Sequence, residues 1–228
     1  MVIDRLAILQ QERLVYDSHN TENYEQEKVC ANYADAKPEI FISYSWNQDK
    51  DAPLVDDLCL ALKTVNVNII RDKTTVKPGS RISEFINRLG RSGCIVVILS
   101  DSYMKSEYCM YELYSIYVSA MHDDSIFLNR IIPIVHDGIK IARPIDRIQF
   151  AAFWKHERDE LDAAARKYGP DVLGYEDHKS LRRMSEFAMF VSDMLAYLNN
   201  KCMPRDIETV QKDNFKIICD LVQSLIRQ

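Results

Sequence analysis

The sequence predicts an α/β domain: a parallel sheet of four to five strands flanked by helices. Two observations carry this. From Glu39 onward, short apolar β-branched runs alternate with helix-length amphipathic stretches, the pattern of strand, crossover helix and strand again. One run, Cys94 to Leu99, is nearly pure apolar, the composition of a central parallel strand buried on both faces.

Taken in order, Ile40 to Tyr44 is the first run, and Leu54, Val55, Leu58, Cys59 and Leu62 follow at helical spacing. Val67 to Ile70 is a second β-branched run, which completes one βαβ unit. Arg71 to Ser80, with Pro78 and Gly79, reads as an exposed loop, long for a strand-to-helix connection. Ile82, Phe85, Ile86 and Leu89 then resume the helical period. After the Cys94 run a helix is predicted from about Glu107 to His122, with Ser106 as its N-cap and Cys109, Leu113, Ile116, Tyr117 and Ala120 as its buried stripe. Ile131 to Val135 supplies a fourth strand, and Ile148 to Trp154 fits either a short fifth strand at the sheet edge or a helix.

Glu157 to Lys167 is a charged helical run with a solvated face, and the Gly169-Pro170 break separates it from a helix through Leu181, Met184, Ala188, Val191, Leu195 and Leu198. Pro204 marks a boundary before an amphipathic helix at Asp206 to Arg227. The expected organisation is an N-terminal helical extension over residues 1–37, the α/β domain over 38–200 and a C-terminal amphipathic helix over 201–228. The terminal helices either engage a partner or pack onto the same domain, the simpler outcome.

Composition excludes several function classes. The formal net charge is −5 and no Lys/Arg cluster lines a helix face, so the phosphate-neutralising footprint of a nucleic-acid binder is missing. Met1 to Tyr16 is a polar amphipathic stretch rather than a basic start followed by an apolar run, and Cys94 to Leu99, the longest apolar stretch, is far too short for a bilayer. No membrane partner is expected, and the location expected is the cytoplasm. The six cysteines form no Cys-x-x-Cys pair and the five histidines are dispersed, so reduced core thiols are expected and no metal site.

A sheet of this type binds ligands beyond the carboxyl ends of its strands. The loop after the first strand, Ser43-Tyr44-Ser45-Trp46-Asn47, contains no glycine, which excludes the phosphate-cradling turns of dinucleotide-binding and P-loop enzymes. That strand ends in hydroxyls and aromatics rather than the acidic pair of a magnesium-dependent receiver domain. A ligand here is held by polar and aromatic side chains.

Four spaced segments then carry a resemblance. Phe41-Ile42-Ser43-Tyr44-Ser45, the loop from Asp72 through Pro78-Gly79-Ser80-Arg81-Ile82, Val97 to Tyr103 with its V-x-x-S-x-x-Y spacing, and Ser106-Glu107-Tyr108-Cys109-Met110-Tyr111-Glu112-Leu113 resemble, in order, the boxes of TIR (Toll/interleukin-1 receptor) domains. The resemblance spans roughly Pro38 to Asn200, is nearest to bacterial standalone TIR proteins, and implies a flavodoxin-like fold with a five-stranded parallel sheet. In TIR domains that cleave NAD, a helix glutamate is the essential carboxylate, and the matching position is Glu112. It lies three residues after Cys109 and four before Ile116, at the border of the buried stripe.

By the same resemblance the substrate contacts are expected at Ser43, Tyr44, Ser45, Trp46, Asp72, Arg81, Tyr103 and Tyr108, with NAD as substrate and no separate cofactor. Tyr108 either shapes the ribose pocket or simply packs. Family members often carry Arg or Lys where Ser45 stands, so a phosphate-contacting cation is missing there; Lys77 and Arg81 are either its substitutes or solvated surface charges. The resemblance further implies hydrolysis or cyclisation in antiphage immune signalling, homo-oligomers through TIR–TIR contacts, and an upstream sensor or downstream effector. A noncatalytic interaction module signalling by assembly is the alternative, and a deoxyribosyltransferase-like nucleoside enzyme a more distant one.

Overall fold

β-branched and apolar runs too short for stable helices pair as strands, and four of them do so here: β1 (Glu39–Ser43), β2 (Asn68–Arg71), β3 (Cys94–Leu99) and β4 (Ile131–Val135). The computed structural model describes residues 37–45, 51–71, 94–120, 124–136, 138–200 and 207–226, all within the unit Lys37–Gln228. Residues 1–36 of the N-terminal extension expected over 1–37, the loop and helix expected between Asp72 and Leu89, and the side chains of Trp46, Asp72 and Arg81 lie outside the described residues.

Every strand pair is parallel and the order is β2-β1-β3-β4. β3 is buried at all six positions, as its composition requires of an interior strand. β4 is an edge of the sheet, where Pro133, which has no N–H to give, is tolerated. This is the flavodoxin-like α/β arrangement that the sequence predicts.

Because side chains alternate along a strand, β1 divides its residues between the two faces. Ile40, Ile42 and Tyr44 enter one core with Leu54, Val55, Leu58 and Leu62 of α1 (Asp51–Leu62). Ser43 faces the other way, toward Tyr103 of α2 (Asp101–Met104) and Glu112 of α3 (Glu107–Ser119), and by the same alternation Phe41 shares its face. α4 (Asp124–Arg130) leads into β4. Two long helices, α5 (Pro144–Tyr168) and α6 (Tyr175–Asn200), form a helical hairpin in which Phe187 and Phe190 pack against Tyr114 of α3, Phe190 also against Tyr117, and Trp154 meets Phe187 edge-on.

The segment Ile148–Trp154, compatible in sequence with an edge strand, belongs to α5, so the described sheet has four strands. The reason is local. Pro144 occupies the first helical turn with its fixed φ, and the buried residues Phe150 and Trp154 are four apart, a helical and not a strand interval. Asp146, in the same first turn, takes a bidentate pair from Arg143 at 2.8 and 2.9 Å. That side-chain hydrogen bond holds the Asp146 carboxyl below its ordinary range.

The C-terminal segment forms two helices instead of one, α7 (Ile207–Lys212) and α8 (Lys216–Ile226). Asn214 and Phe215 have φ of 56° and 59°. The amide of Phe215 donates to the Val210 carbonyl at 2.8 Å and that of Asn214 to the Gln211 carbonyl at 3.0 Å, the paired bonds of a Schellman stop. Asparagine accepts the left-handed region readily; phenylalanine does not. Burial of Phe215 beside Val210 offsets the strain. Ile207, Val210, Phe215, Ile218, Cys219 and Val222 join the core of α1 and the sheet, so these helices are an integral layer of the domain.

Two outcomes check this. Ile218 is fully buried, and Ile218→Ala should lower the unfolding free energy by about 2–5 kcal/mol in a urea titration; a loss near zero would mean that α8 does not complete the core. In an NMR titration the Asp146 carboxyl should protonate below the usual carboxylate midpoint of about 3.9. Because its folded-state value is depressed, the pair's stabilising contribution is present above the ordinary range and is lost as pH falls through the folded value. Arg143→Ala should move that midpoint back up.

Candidate functional site

The order β2-β1-β3-β4 means that the chain leaves β1 toward one side and later crosses to the other to form β3. The loops after β1 and β3 therefore diverge at the carboxyl edge between these two strands, where ligands bind in open parallel sheets. Ser43 is the last residue of β1 and Ser100 the first after β3.

From there the local sequence builds the site in two capped turns. Ser100 accepts the Tyr103 amide at 3.2 Å and starts α2, which carries Tyr103 fully buried against the sheet. Ser106 accepts the Cys109 amide at 3.4 Å and starts α3. The Cys109 thiol points at the Tyr44 carbonyl, 3.9 Å away, so the head of α3 rests on the end of β1.

Glu112, on the second turn of α3, is only 5% exposed. The Ser43 hydroxyl donates to Glu112 Oε2 at 2.6 Å, the length of a charge-assisted O–H···O⁻ bond. The Tyr103 hydroxyl lies 3.0 Å from Ser43 Oγ. Three elements thus bring a carboxylate and two hydroxyls to one point, in surroundings where a polar group without a partner would be costly.

The helical hairpin holds these elements from behind. Trp154 Nε1 donates to the Met104 carbonyl at 3.0 Å, directly after Tyr103. Glu107, at the start of α3, accepts Ser180 Oγ at 2.8 Å and Arg183 Nη1 at 3.1 Å, and the Arg183 guanidinium lies 4.4 Å from the centre of the Tyr111 ring. None of these contacts is visible as a sequence motif. The nearest signal is the Ser-x-x-Tyr spacing at Ser100 and Tyr103, which places a cap and an inward tyrosine on one turn.

Of the residues singled out in sequence, Ser43, Tyr103 and Glu112 converge. Tyr44 turns to the opposite face, where it is buried with Ile42 and its ring centre lies 5.9 Å from the Arg71 guanidinium carbon. Ser45 is buried just beyond β1. Tyr108 is 72% exposed, although Cys109 and Met110 of the same turn are buried. Trp46, Asp72 and Arg81 lie outside the described residues. A cleft of about 630 Å³ at the carboxyl end of β4, bounded by His136, Lys140, Arg143 and Asp146, contains none of the singled-out residues. Among the described residues no three His, Cys, Asp or Glu side chains group as a metal set, and no helix is long and apolar enough to cross a membrane.

No protein of curated function matches the chain. Among solved structures it is similar to one described as the activated Roq1 resistosome directly recognizing the pathogen effector XopQ (TIR domains), at 18% identity over 81% of this chain and 99% of that chain, with a TM-score of 0.49. A family model described as the TIR domain matches residues 40–167, more than half of the chain, taking in Ser43, Tyr103, Glu112 and all of the four strands except Glu39, the first residue of β1. The chain belongs to the TIR domain family.

Proposed function

We propose that this domain cleaves the nicotinamide glycosidic bond of NAD, with Glu112 as the carboxylate that stabilises the sugar as the bond breaks. One observation carries the reading: an acidic side chain, 5% exposed and held by a serine hydroxyl at 2.6 Å, stands at the carboxyl edge of the sheet beside the end of β1, where β1 and β3 are neighbours.

The chemistry suits a single carboxylate. As the bond between C1′ and the pyridinium nitrogen breaks, its electron pair goes to the ring, and nicotinamide leaves as a neutral molecule without a general acid. The sugar carbon gains oxocarbenium character. A carboxylate that accepts the ribose hydroxyls spreads that charge, and its field is stronger where water is excluded. Water then adds to C1′ and loses a proton, giving ADP-ribose; capture by an atom of the bound ADP-ribose gives a cyclic isomer instead. NAD is the substrate and no further cofactor enters. Assembly of copies through TIR–TIR contacts, a cytoplasmic setting and a role in antiphage immune signalling, with a sensor upstream or an effector downstream, complete the reading.

A second reading has its own observation. Glu112 also ties α3 to β1, which a noncatalytic interaction module would need merely to keep its fold. The two separate cleanly. If the domain is an enzyme, chromatography of NAD incubated with concentrated protein shows nicotinamide release, and Glu112→Ala lowers it by about 100-fold or more. Release that survives Glu112→Ala intact, or none from the wild type, removes the enzymatic reading. A signalling output kept in Glu112→Ala but lost on substitution of Pro78 or Gly79 favours the interaction module.

A further inference from the structure

We propose that Ser43 and Tyr103 are positioning residues that act on Glu112 as a two-step hydrogen-bond relay, rather than contacts to the substrate. The inference rests on the reading of Glu112 as the carboxylate of NAD cleavage.

The direction of the relay follows from counting hydrogens. Ser43 Oγ stands 2.6 Å from Glu112 Oε2 and 3.0 Å from the Tyr103 hydroxyl. A serine has one hydroxyl hydrogen, and an ionised carboxylate only accepts. That hydrogen goes to Glu112, at the shorter contact. The remaining contact then has one possible donor, so the Tyr103 phenol donates to a lone pair of Ser43. Tyr103 to Ser43 to Glu112 is a chain in which each bond polarises the next.

The hydrogen count argues against substrate contact. Ser43 is 2% exposed and Tyr103 is fully buried, and the hydrogen of each hydroxyl is committed within the chain. A substrate would have to displace these bonds to reach either oxygen. What the relay does achieve is geometric. The two oxygens of a carboxylate are rigidly related, so holding Oε2 at 2.6 Å from an atom of β1 also narrows the positions open to the rest of the group. Tyr103 is in turn fixed by the cap at Ser100 and by the Trp154 bond to the adjacent carbonyl. A reacting carboxylate misplaced by a fraction of an ångström loses rate without losing substrate affinity.

The test is a steady-state cycle on the full chain with NAD: wild type, Tyr103→Phe, Ser43→Ala and the double variant, with Ser43→Thr as the conservative replacement. Loss of a neutral hydrogen bond in Tyr103→Phe should lower kcat about 3- to 10-fold, and loss of the charge-assisted one in Ser43→Ala about 10- to 100-fold. KM should stay within about 2-fold throughout, because no substrate contact is removed. The double variant should match Ser43→Ala, since the tyrosine acts on the carboxylate through the serine. Ser43→Thr, which keeps the hydroxyl, should recover most of kcat. A rise in KM at unchanged kcat, or losses that multiply in the double variant, overturns the relay. Tyr103→Phe keeps the ring and therefore the packing, so thermal unfolding of that variant alongside the wild type separates a rate effect from a folding effect. The two levels of inference fail differently. A wild type that releases no nicotinamide ends the NAD reading and the relay with it. An active wild type silenced by Glu112→Ala, yet indifferent to Tyr103→Phe, ends the relay alone.

Discussion

A carboxylate withdrawn from water is tolerated only where its lone pairs are met, and at Glu112 that demand is answered from a different element of the fold. The Ser43 hydroxyl on β1 supplies the hydrogen, so the end of β1 and the second turn of α3 must meet within hydrogen-bond reach. Much else about this edge of the sheet follows from that meeting. β3 must lie beside β1, as it does in parallel register. The chain must turn sharply after Leu99, which the Ser100 cap and the single turn of α2 accomplish. α3 must then start close to the strand ends, where Ser106 caps it and Cys109 faces the Tyr44 carbonyl.

The helical hairpin converts this local fit into a rigid one. Its first helix reaches the end of α2 through the Trp154 indole, and its second reaches the start of α3 through Ser180 and Arg183. The Glu107–Arg183 pair is only half-buried, so its own contribution to stability is modest. Its value is positional. Tyr114 stacks on Phe190 at 5.7 Å and meets Phe187 edge-on at 6.0 Å, and these rings carry more of the attachment energy than the ion pair does.

Much of the fold was legible because its signals are short-range. Cys94–Leu99 and Ile131–Val135 are strands with the limits that composition alone assigns. Ser106 caps its helix, and the stripe from Cys109 to Ala120 is buried as the period requires. Where the sequence left a choice open or a break unread, the causes are physical. A largely apolar segment of seven residues does not by itself distinguish strand from helix, and at Ile148–Trp154 it was the proline six residues upstream of the buried interval Phe150–Trp154 that decided. Val210 and Phe215 stand five apart where a helical face needs three or four, so the stop at Asn214 has a signal in the spacing as well as in the asparagine itself. The site was legible residue by residue but not in its connections. Ser43 and Glu112 are 69 positions apart, Ser43 and Tyr103 are 60 apart, and only the folded chain reveals that one hydroxyl joins all three. The exposure of Tyr108 and the turning away of Tyr44 depend likewise on which way an element faces, which spacing on its own element leaves open.

The division of β1 between two faces has a consequence for how this chain can change. Ser43 belongs to the carboxylate and Tyr44 to the core over α1, and they are neighbours in sequence. A single inserted or deleted residue within the strand would exchange them, setting an aromatic ring against Glu112 and a hydroxyl among Leu54, Val55 and Leu58. No compensating substitution at one position could repair both faces. The strand therefore has latitude in composition and none in length, and changes of length in this part of the chain belong to the segments between the elements.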